Sequence, residues 1–273
     1  MPTNIRLASI GGGVMAEAIL SRLIGQNLYP PAAVLVSEPQ PQRRLFWQET
    51  YQVQVTADNL AAAAAAEVLL LAIKPQVIDT IAAEMADSKF PVAKPLVISI
   101  LAGVPLARLE AIFPQQAVIR AMPNTPATVG GGMTAITAGK LVEERHRSLA
   151  TAIFQAVGEV VEVPESLMDA VTGLSGSGPA YVALMVESLA DGGVAAGLPR
   201  VIAAQLALQT VLGTAQLLQE SGWHPAELKD RVTSPGGTTI AGIAQLEKAG
   251  FRSALIEAVK AAYYRARELG VKD

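Results

Sequence analysis

Near the N-terminus the sequence reads Ile5-Arg-Leu-Ala-Ser-Ile-Gly-Gly-Gly-Val-Met-Ala16, where three glycines join a short apolar run to a helical pattern. Periodicity predicts a strand over residues 5–10 and a helix over residues 15–25. Taken as G-x-G-x-x-A, Gly11 makes a tight turn, Gly13 lets the backbone approach a pyrophosphate, and the alanine allows close helix packing. The stretch predicts the first turn of a dinucleotide-binding, Rossmann-like fold, with a plain glycine turn as the alternative.

Strand and helix patterns then alternate through the first half of the chain. Further strands are predicted at residues 33–37, 67–73, 96–101 and 117–121, with edge strands at 133–137 and 160–163. Helices are predicted at residues 42–50, 61–66, 76–86, 106–113 and 143–157. Such alternation is typical of βαβ units on a parallel sheet, so residues 1–164 are predicted to form an α/β dinucleotide-binding domain.

The pattern changes near Pro164, after which strand signals almost vanish. Long helices are predicted at residues 180–196, 201–218 and 254–269, so residues 165–273 form a predicted all-α domain. The second of these helices is apolar nearly all round, and a helical half of about a hundred residues has little room for an internal helix. We therefore expect this helix to pack against a partner chain, in a homodimer or a larger assembly.

Composition excludes several classes of protein. Of 273 residues, 51% are hydrophobic and 16% charged, which excludes a disordered chain. The net charge of −3, without a Lys/Arg cluster, argues against a nucleic-acid partner. With no cysteine and two histidines, no disulfide, Cys nucleophile or metal site is predicted. We expect no signal peptide, and no segment with the ~20 apolar residues that span a bilayer, hence a cytoplasmic protein without a membrane partner.

The end of the second predicted strand bears on the choice of cofactor. Glu38 lies where an acidic residue hydrogen-bonds the adenosine ribose hydroxyls of NAD and repels a 2′-phosphate. Arg43 and Arg44 follow one turn further on, within reach of such a phosphate. All three are equally consistent with solvated surface charges. The cofactor is therefore NADPH or NADH, with the choice open.

Two motifs in the second half place glycines and hydroxyl residues just before apolar helices. They are Leu174-Ser-Gly-Ser-Gly-Pro-Ala-Tyr181 and Leu228-Lys-Asp-Arg-Val-Thr-Ser-Pro-Gly-Gly-Thr-Thr239. Backbone N–H groups at a helix start bind anions, and Ser/Thr hydroxyls add donors. Ordinary helix capping explains one such loop well, but two successive glycines imply a close approach of the backbone to another group.

These motifs, together with the glycine loop, resemble the pyrroline-5-carboxylate reductase family over essentially the whole chain. The resemblance also rests on Ala72-Ile-Lys-Pro75, Ser99-Ile-Leu-Ala-Gly-Val104, Arg120-Ala-Met-Pro-Asn-Thr-Pro126 and the segment from Asp169 to Tyr181. It implies an NAD(P)H-dependent reductase with an N-terminal Rossmann-like domain and a C-terminal all-helical domain for dimerisation and substrate binding. Dimers of this family often form larger rings, and a decamer of dimers is the larger assembly considered.

The resemblance also implies residue roles. The residues that it places along the dinucleotide are Ile10, Gly11, Gly12, Gly13, Val14, Met15, Glu38, Asn59, Ala72, Ile73, Lys74, Pro75, Leu101 and Ala102. For the substrate it implies Ser234, Gly237, Thr238 and Thr239, with Thr239 beside the ring nitrogen as the catalytic residue. The chain departs from the family at Glu38, often Ser, Thr or Asn, and at Arg231, an Asn in some relatives. Lys74 has the competing interpretation of a solvated charge.

The implied reaction is hydride transfer from nicotinamide C4 to the C=N carbon of the cyclic imine L-1-pyrroline-5-carboxylate, which gives L-proline in the final step of proline biosynthesis. A protonated iminium is already electrophilic, so the protein supplies position and electrostatics rather than a nucleophile or metal. The alternative is a related cyclic-imine or β-hydroxyacid reductase, for which Lys229 is the one proton donor within a motif. A catalytically silent dinucleotide-binding protein is a third interpretation.

Overall fold

A single eight-stranded sheet organises the first part of the chain in the computed structural model, which describes residues 5–86 and 95–270. Its strands are β1 (Leu7–Ile10), β2 (Val34–Ser37), β3 (Gln54–Thr56), β4 (Val68–Leu71), β5 (Leu96–Ser99), β6 (Val118–Met122), β7 (Gly132–Ala138) and β8 (Gly158–Glu162). The strand order is β3-β2-β1-β4-β5-β6-β7-β8. All pairings are parallel except β6 with β7. The sheet thus confirms the predicted α/β class.

Strand β1 lies at the point where the sheet reverses direction. It pairs with β2 on one side and β4 on the other, with Ile10 opposite both Ser37 and Leu71. The chain therefore moves outward to β3 and returns past β1 to β4. In open parallel sheets, ligands bind beyond the carboxyl ends of the strands at such a reversal. This topology predicts a functional site at the loop after β1.

Helices cover the sheet in this part of the chain. They are α1 (Val14–Gly25), α2 (Pro41–Tyr51), α3 (Asn59–Ala65), α4 (Ile78–Ala86), α5 (Leu106–Ile112), α6 (Glu144–Gln155) and the one-turn α7 (Met168–Val171). The strands supply alternate residues to two buried clusters: Leu7 and Val34 belong to one, Ala8 and Leu35 to the other. Both faces are covered, which explains why these strands read as continuous apolar runs rather than alternating ones.

The remainder of the chain is helical, as predicted. Its elements are α8 (Gly178–Ala195), α9 (Arg200–Ser221), α10 (Pro225–Arg231), α11 (Thr238–Lys248) and α12 (Phe251–Gly270). By internal contacts the chain divides into a first unit, Met1–Gly176 with Ala261–Asp273, and a second unit, Ser177–Lys260. The division falls inside α12, so the last turns of this helix belong to the first unit.

Several local predictions were wrong. Strand β3 and helix α10 were missed, because their short segments carry little apolar periodicity. Strand β7 is not at an edge, because it pairs with β6 on one side and with β8 on the other. The predicted helix at 76–86 begins as a 3₁₀ turn, Pro75–Val77, and becomes α-helical at Ile78. Along this helix Ile78, Ile81 and Met85 are buried, and Ala82 is half-buried.

Helix α9 also corrects an expectation. Among the described residues it is one helix that, by length and composition alone, is long and apolar enough to cross a membrane, with a mean hydropathy of 1.5. No such segment was expected from the sequence. Ala203 and Ala207 are its buried residues in the single chain, where α9 packs on α8, whereas Leu206, Leu208 and Leu212 are exposed.

Candidate active site

The loop after β1 is held between the ends of two neighbouring strands. Gly11 N donates to Ser37 O at the end of β2 (2.8 Å), and Ala72 N, just beyond β4, donates to Ile10 O (2.9 Å). Gly11 has φ +97°, and a Cβ there would lie 2.5 Å from Ala72 O. Glycine is therefore required both by conformation and by the closeness of the neighbouring backbone.

The next two glycines have different surroundings. A Cβ on Gly12 would lie 2.6 Å from Trp47 Nε1, and Gly12 O accepts hydrogen bonds from that indole (3.0 Å) and from Arg43 Nε (2.7 Å). The sequence pattern did not predict this packing of Gly12 against Trp47. Gly13, the N-cap of α1, is exposed, and a Cβ added to it would have no atom within 4 Å. The chain's own packing thus accounts for Gly11 and Gly12 and leaves Gly13 open to a ligand.

Glu38 is buried against this loop at the end of β2, with 8% of its surface exposed. Its Oε2 accepts a hydrogen bond from Gly12 N and its Oε1 accepts one from Gln40 N, both at 3.0 Å. The interpretation of Glu38 as a solvated surface charge was therefore wrong. Two backbone donors fix the carboxylate beside the glycine loop.

The two arginines on α2 are also engaged. Besides Gly12 O, Arg43 pairs with the Glu17 carboxylate and stacks on the Phe46 ring, 4.3 Å from its centroid. Arg44 Nη1 donates to Glu38 O (2.7 Å) and to Pro39 O (2.8 Å). Both guanidinium groups brace the loops around the end of β2.

Tyr51 completes the cluster around α2 by donating its hydroxyl to Glu17 Oε1 (3.0 Å). Burial and this hydrogen bond raise the pKa of Tyr51, so the hydroxyl remains a donor throughout the physiological range. Asn59, at the start of α3, accepts from Ser37 Oγ (2.7 Å) and donates to Glu84 Oε2 (2.8 Å). Its side chain thus joins the end of β2 to α4.

The ends of β4 and β5 bring a further set of predicted residues together. Lys74 is exposed where the chain leaves β4, and Leu101 is buried just after β5. Pro75 and Ala102 line one cavity of about 280 Å³. Its other lining residues are Gln76, Asp79, Gly103, Val104, Arg108 and Leu269. The structure therefore places the predicted cofactor residues of the first unit along the carboxyl edge of β1, β2, β4 and β5.

In the second unit, the loop at residues 234–239 forms a tight turn into α11. Gly236 has φ +66°, and Gly237 N donates to Ser234 O (3.1 Å). A Cβ on Gly237 would overlap Ser234 Oγ, so a larger residue at this N-cap would require the serine side chain to rotate. Ser234 and Thr238 are exposed, and Thr239 is half-buried in the first turn of α11. The loop thus presents hydroxyl groups beside the N-terminus of an eleven-residue helix.

Comparisons with known proteins cover both units. A family model described as pyrroline-5-carboxylate reductase dimerisation matches residues 165–269, and one described as NADP oxidoreductase coenzyme F420-dependent matches residues 6–103. The chain is 65% identical to pyrroline-5-carboxylate reductase from Synechocystis sp., over 98% of this chain and 100% of that protein. The chain belongs to the pyrroline-5-carboxylate reductase family.

Solved structures of pyrroline-5-carboxylate reductases have the same fold. The enzyme from Coxiella burnetii superposes with a TM-score of 0.87 at 36% identity, covering 98% of this chain and 100% of the other. The Plasmodium falciparum pyrroline carboxylate reductase, solved with NADP bound, has a TM-score of 0.86 at 29% identity, covering 98% and 99%. These likenesses confirm the Rossmann-like and helical architecture for this member of the family.

The segment that carries the first glycine and hydroxyl motif also contributes to the fold. In the segment resembling pyrroline-5-carboxylate reductase at 169–181, Thr172–Gly176 forms a π-helical turn. Asn124 Nδ2 donates to Ser175 O (3.0 Å), and Asn124 Oδ1 accepts from Met133 N (2.9 Å). The Asn124 side chain therefore connects this turn to β7.

A buried arginine in this reductase was missed by sequence reasoning. Arg120, in β6, is 4% exposed, and its Nη1 lies 2.5 Å from Glu165 Oε1. The same carboxylate oxygen accepts Leu106 N (3.0 Å), at the start of α5. A charged residue within an apolar strand was the available signal, because buried charges require partners. The ion pair holds the segment that follows the predicted cofactor residues Leu101 and Ala102.

The proton donor of the hydroxyacid interpretation, Lys229, and the family departure Arg231 both lie in α10. Lys229 Nζ pairs with Asp230 Oδ1 at 2.5 Å. Arg231, the departure from some reductases of the family, pairs with Glu227 (2.9 Å) and stacks on Trp223 at 4.0 Å from the ring centroid. Within residues 5–86 and 95–270, no group of three or more His, Asp or Glu side chains is arranged to hold a metal.

Proposed function

We propose that the chain reduces L-1-pyrroline-5-carboxylate to L-proline by hydride transfer from NADPH or NADH, as the final step of proline biosynthesis. The observation that carries the proposal is the 65% identity to the Synechocystis reductase, which spans both units. Matches of 42% and 43% to reductases from Arabidopsis thaliana and Methanosarcina acetivorans, each over at least 97% of this chain, support it.

Residues 1–164 are proposed as the dinucleotide-binding domain. The pyrophosphate would lie over Gly13 and the N-terminus of α1, where the backbone is open and a helix dipole favours negative charge. The other proposed contacts follow the carboxyl edge of the sheet: Ile10, Gly11, Gly12, Val14, Met15, Glu38, Asn59, Ala72, Ile73, Lys74, Pro75, Leu101 and Ala102. Lys74 and Pro75, beyond β4, are assigned to the nicotinamide end.

Residues 165–273 are proposed as the substrate-binding and dimerisation domain. Ser234, Gly237 and Thr238 would hold the substrate carboxylate through hydroxyl and backbone N–H donors at the start of α11. The Thr239 hydroxyl would hydrogen-bond the ring nitrogen, orient the C=N bond toward the hydride and relay a proton from water. Hydride transfer requires no charge to be created on a protein side chain, so orientation is the main task of this loop.

A homodimer is the proposed assembly. Helix α9 exposes leucines that a single chain leaves in water, and the family model that matches residues 165–269 is described as a dimerisation domain. Burial of α9 against a second copy of the chain would explain why this helix is as apolar as a membrane-spanning one. A decamer of dimers is the proposed larger assembly. The same proposal places the enzyme in the cytoplasm with a small cyclic imine as its partner, and with neither nucleic acid nor membrane.

The test is a steady-state assay of purified protein with L-1-pyrroline-5-carboxylate, run in parallel with NADPH and NADH. We expect oxidation of the dinucleotide in step with formation of L-proline, identified by chromatography. The six-membered cyclic imino acid and a panel of 2-ketoacids serve as competing substrates. Absence of turnover of the five-membered imine with either dinucleotide would contradict the proposal, as would a higher kcat/KM for a ketoacid.

A further inference from the structure

The structure bears on which dinucleotide the proposed reductase selects, an inference that rests on the proposed function. In dinucleotide-binding folds, the adenosine ribose lies beyond the end of the second strand, and an acidic residue there binds its hydroxyls. Glu38 occupies that place, directly after β2, and is 8% exposed. Gly12 N and Gln40 N each donate to one of its carboxylate oxygens at 3.0 Å. The negative charge is therefore fixed in position before any ligand binds.

The nearby cations have other partners. Arg43 is bound to Gly12 O, pairs with Glu17 and lies over the Phe46 ring. Arg44 donates to the carbonyl oxygens of Glu38 and Pro39. Arg44 uses only Nη1 for these contacts, so a 2′-phosphate that met its Nε or Nη2 would still face the nearby Glu38 carboxylate. Recruitment of Arg43 would break its ion pair with Glu17 and leave that carboxylate with the Tyr51 hydroxyl as a donor.

We propose that Glu38 is the specificity-determining residue of the adenosine site and makes the chain select NADH over NADPH. A carboxylate oxygen has two lone pairs, so each oxygen of Glu38 retains one acceptor position after its backbone hydrogen bond. That position suits a ribose 2′-hydroxyl, which is a donor. A 2′-phosphate offers acceptors and negative charge instead, and it is repelled by a carboxylate held at low solvent exposure.

The first experiment measures nucleotide binding without the imine. We expect isothermal titration of the wild-type protein to give a Kd for ADP-ribose at least tenfold lower than that for 2′-phospho-ADP-ribose. Equal or inverted affinities would overturn the proposal. Because these nucleotides carry no nicotinamide, this result is independent of turnover, whereas failure of the proposed function would appear as absent turnover of the imine with both NADH and NADPH.

Variants separate Glu38 from the arginines. Glu38→Ser removes the carboxylate, and Glu38→Gln keeps its size but not its charge; each is expected to lower the preference for the unphosphorylated nucleotide at least tenfold. Glu49→Gln, an equal change of charge at an exposed position of α2, is the control and keeps the wild-type preference. Arg44→Ala is expected to weaken both nucleotides alike. A loss confined to 2′-phospho-ADP-ribose in Arg44→Ala, or an unchanged preference in both Glu38 variants, would overturn the proposal.

Discussion

The three adjacent glycines of the loop after β1 differ in whether a larger side chain would fit. Gly11 needs a positive φ and has the Ala72 carbonyl where a side chain would be, and Gly12 is enclosed by Trp47. Gly13 has neither constraint, and its φ of −74° suits any residue. The fold thus explains two of these glycines, and the proposed approach of a pyrophosphate is the reason offered for the third.

This difference predicts opposite phenotypes for two alanine substitutions. Gly11→Ala should destabilise the protein by about 2 kcal/mol or more, because it combines a left-handed backbone with overlap against Ala72 O. Gly13→Ala should have a free energy of unfolding within about 1 kcal/mol of the wild-type value. It should nevertheless bind NADH at least tenfold more weakly, because the added methyl group would lie between the backbone and the pyrophosphate. Urea unfolding and titration with NADH measure the two effects. Normal NADH affinity in Gly13→Ala would contradict the proposed pyrophosphate site.

Thr239 carries the prediction for catalysis. Thr239→Ala should lower kcat/KM for the imine by roughly ten- to a hundredfold, the equivalent of one lost hydrogen bond worth about 1–3 kcal/mol. Thr239→Ser retains the hydroxyl and should stay within a few-fold of wild type. Steady-state kinetics of the three proteins check this, and an Ala variant as active as wild type would remove Thr239 from the proposed mechanism.

Among the elements, helix α6 shows how one end of a helix is stabilised. Glu143 is its N-cap, and the His146 ring returns a hydrogen bond by accepting Glu143 N at Nδ1 (3.1 Å), which completes a capping box. Partial burial, with a contribution from Arg145, lowers the pKa of His146 below its ordinary value of 6.5. The neutral ring is therefore the folded form, and it is the form able to accept at Nδ1.

The capping box predicts a pH-dependent contribution to stability. His146→Ala should cost about 0.5–1 kcal/mol at pH 7.5, where the ring is neutral in both the folded and the unfolded chain. The lowered pKa means that the unfolded chain binds the proton first, so the contribution should be lost as the pH falls below 6.5 through the folded-state pKa. Urea unfolding between pH 5 and 7.5 measures this. Ser148→Ala on the same helix is the control, and a cost independent of pH would refute the capping role.

At the scale of the whole molecule, the second unit is the part that a single chain leaves incomplete. The first unit buries its apolar residues on both faces of the sheet, whereas α8 and α9 expose a series of large apolar side chains. Apolar surface of this extent marks an interaction site in a soluble protein. The proposed dimer would bury it, and the stability of the second unit would then depend on protein concentration.

A charge placed on α9 should therefore disrupt the assembly. Leu206→Arg is expected to weaken dimerisation by about 3 kcal/mol, roughly a hundredfold in Kd, because the interface would bury an unpaired cation. Leu45→Arg, at a leucine of the first unit with the same 52% exposure, should leave the oligomer intact. Light scattering coupled to size exclusion reports both masses. An unchanged assembly in Leu206→Arg would exclude this face of α9 from the interface.

Local sequence signals were sufficient for much of the fold. The apolar runs of β1, β2, β4 and β5 mark strands covered on both faces, and the glycine loop marks the turn into α1, because these features depend on neighbouring residues in the chain. The apolar circumference of α9 likewise indicated a partner. The loops at residues 234–239 and 10–15 stood out in the same way, from glycine and hydroxyl residues preceding helices, whereas the roles predicted for their residues came from the family resemblance.

Tertiary structure was needed where the partner of a residue is distant in sequence. Glu38 is held beside the glycine loop, and not in solvent, by its hydrogen bond from Gly12. Arg43 is held by its ion pair with Glu17. In each pair the two residues lie 26 positions apart in the sequence. Gly12 faces Trp47, and Arg120 meets Glu165, 45 residues apart. A hydrogen bond or an ion pair between such distant residues leaves no periodic pattern in the local sequence. It exists because the sheet brings the strand ends together, and only the folded chain specifies which groups meet there.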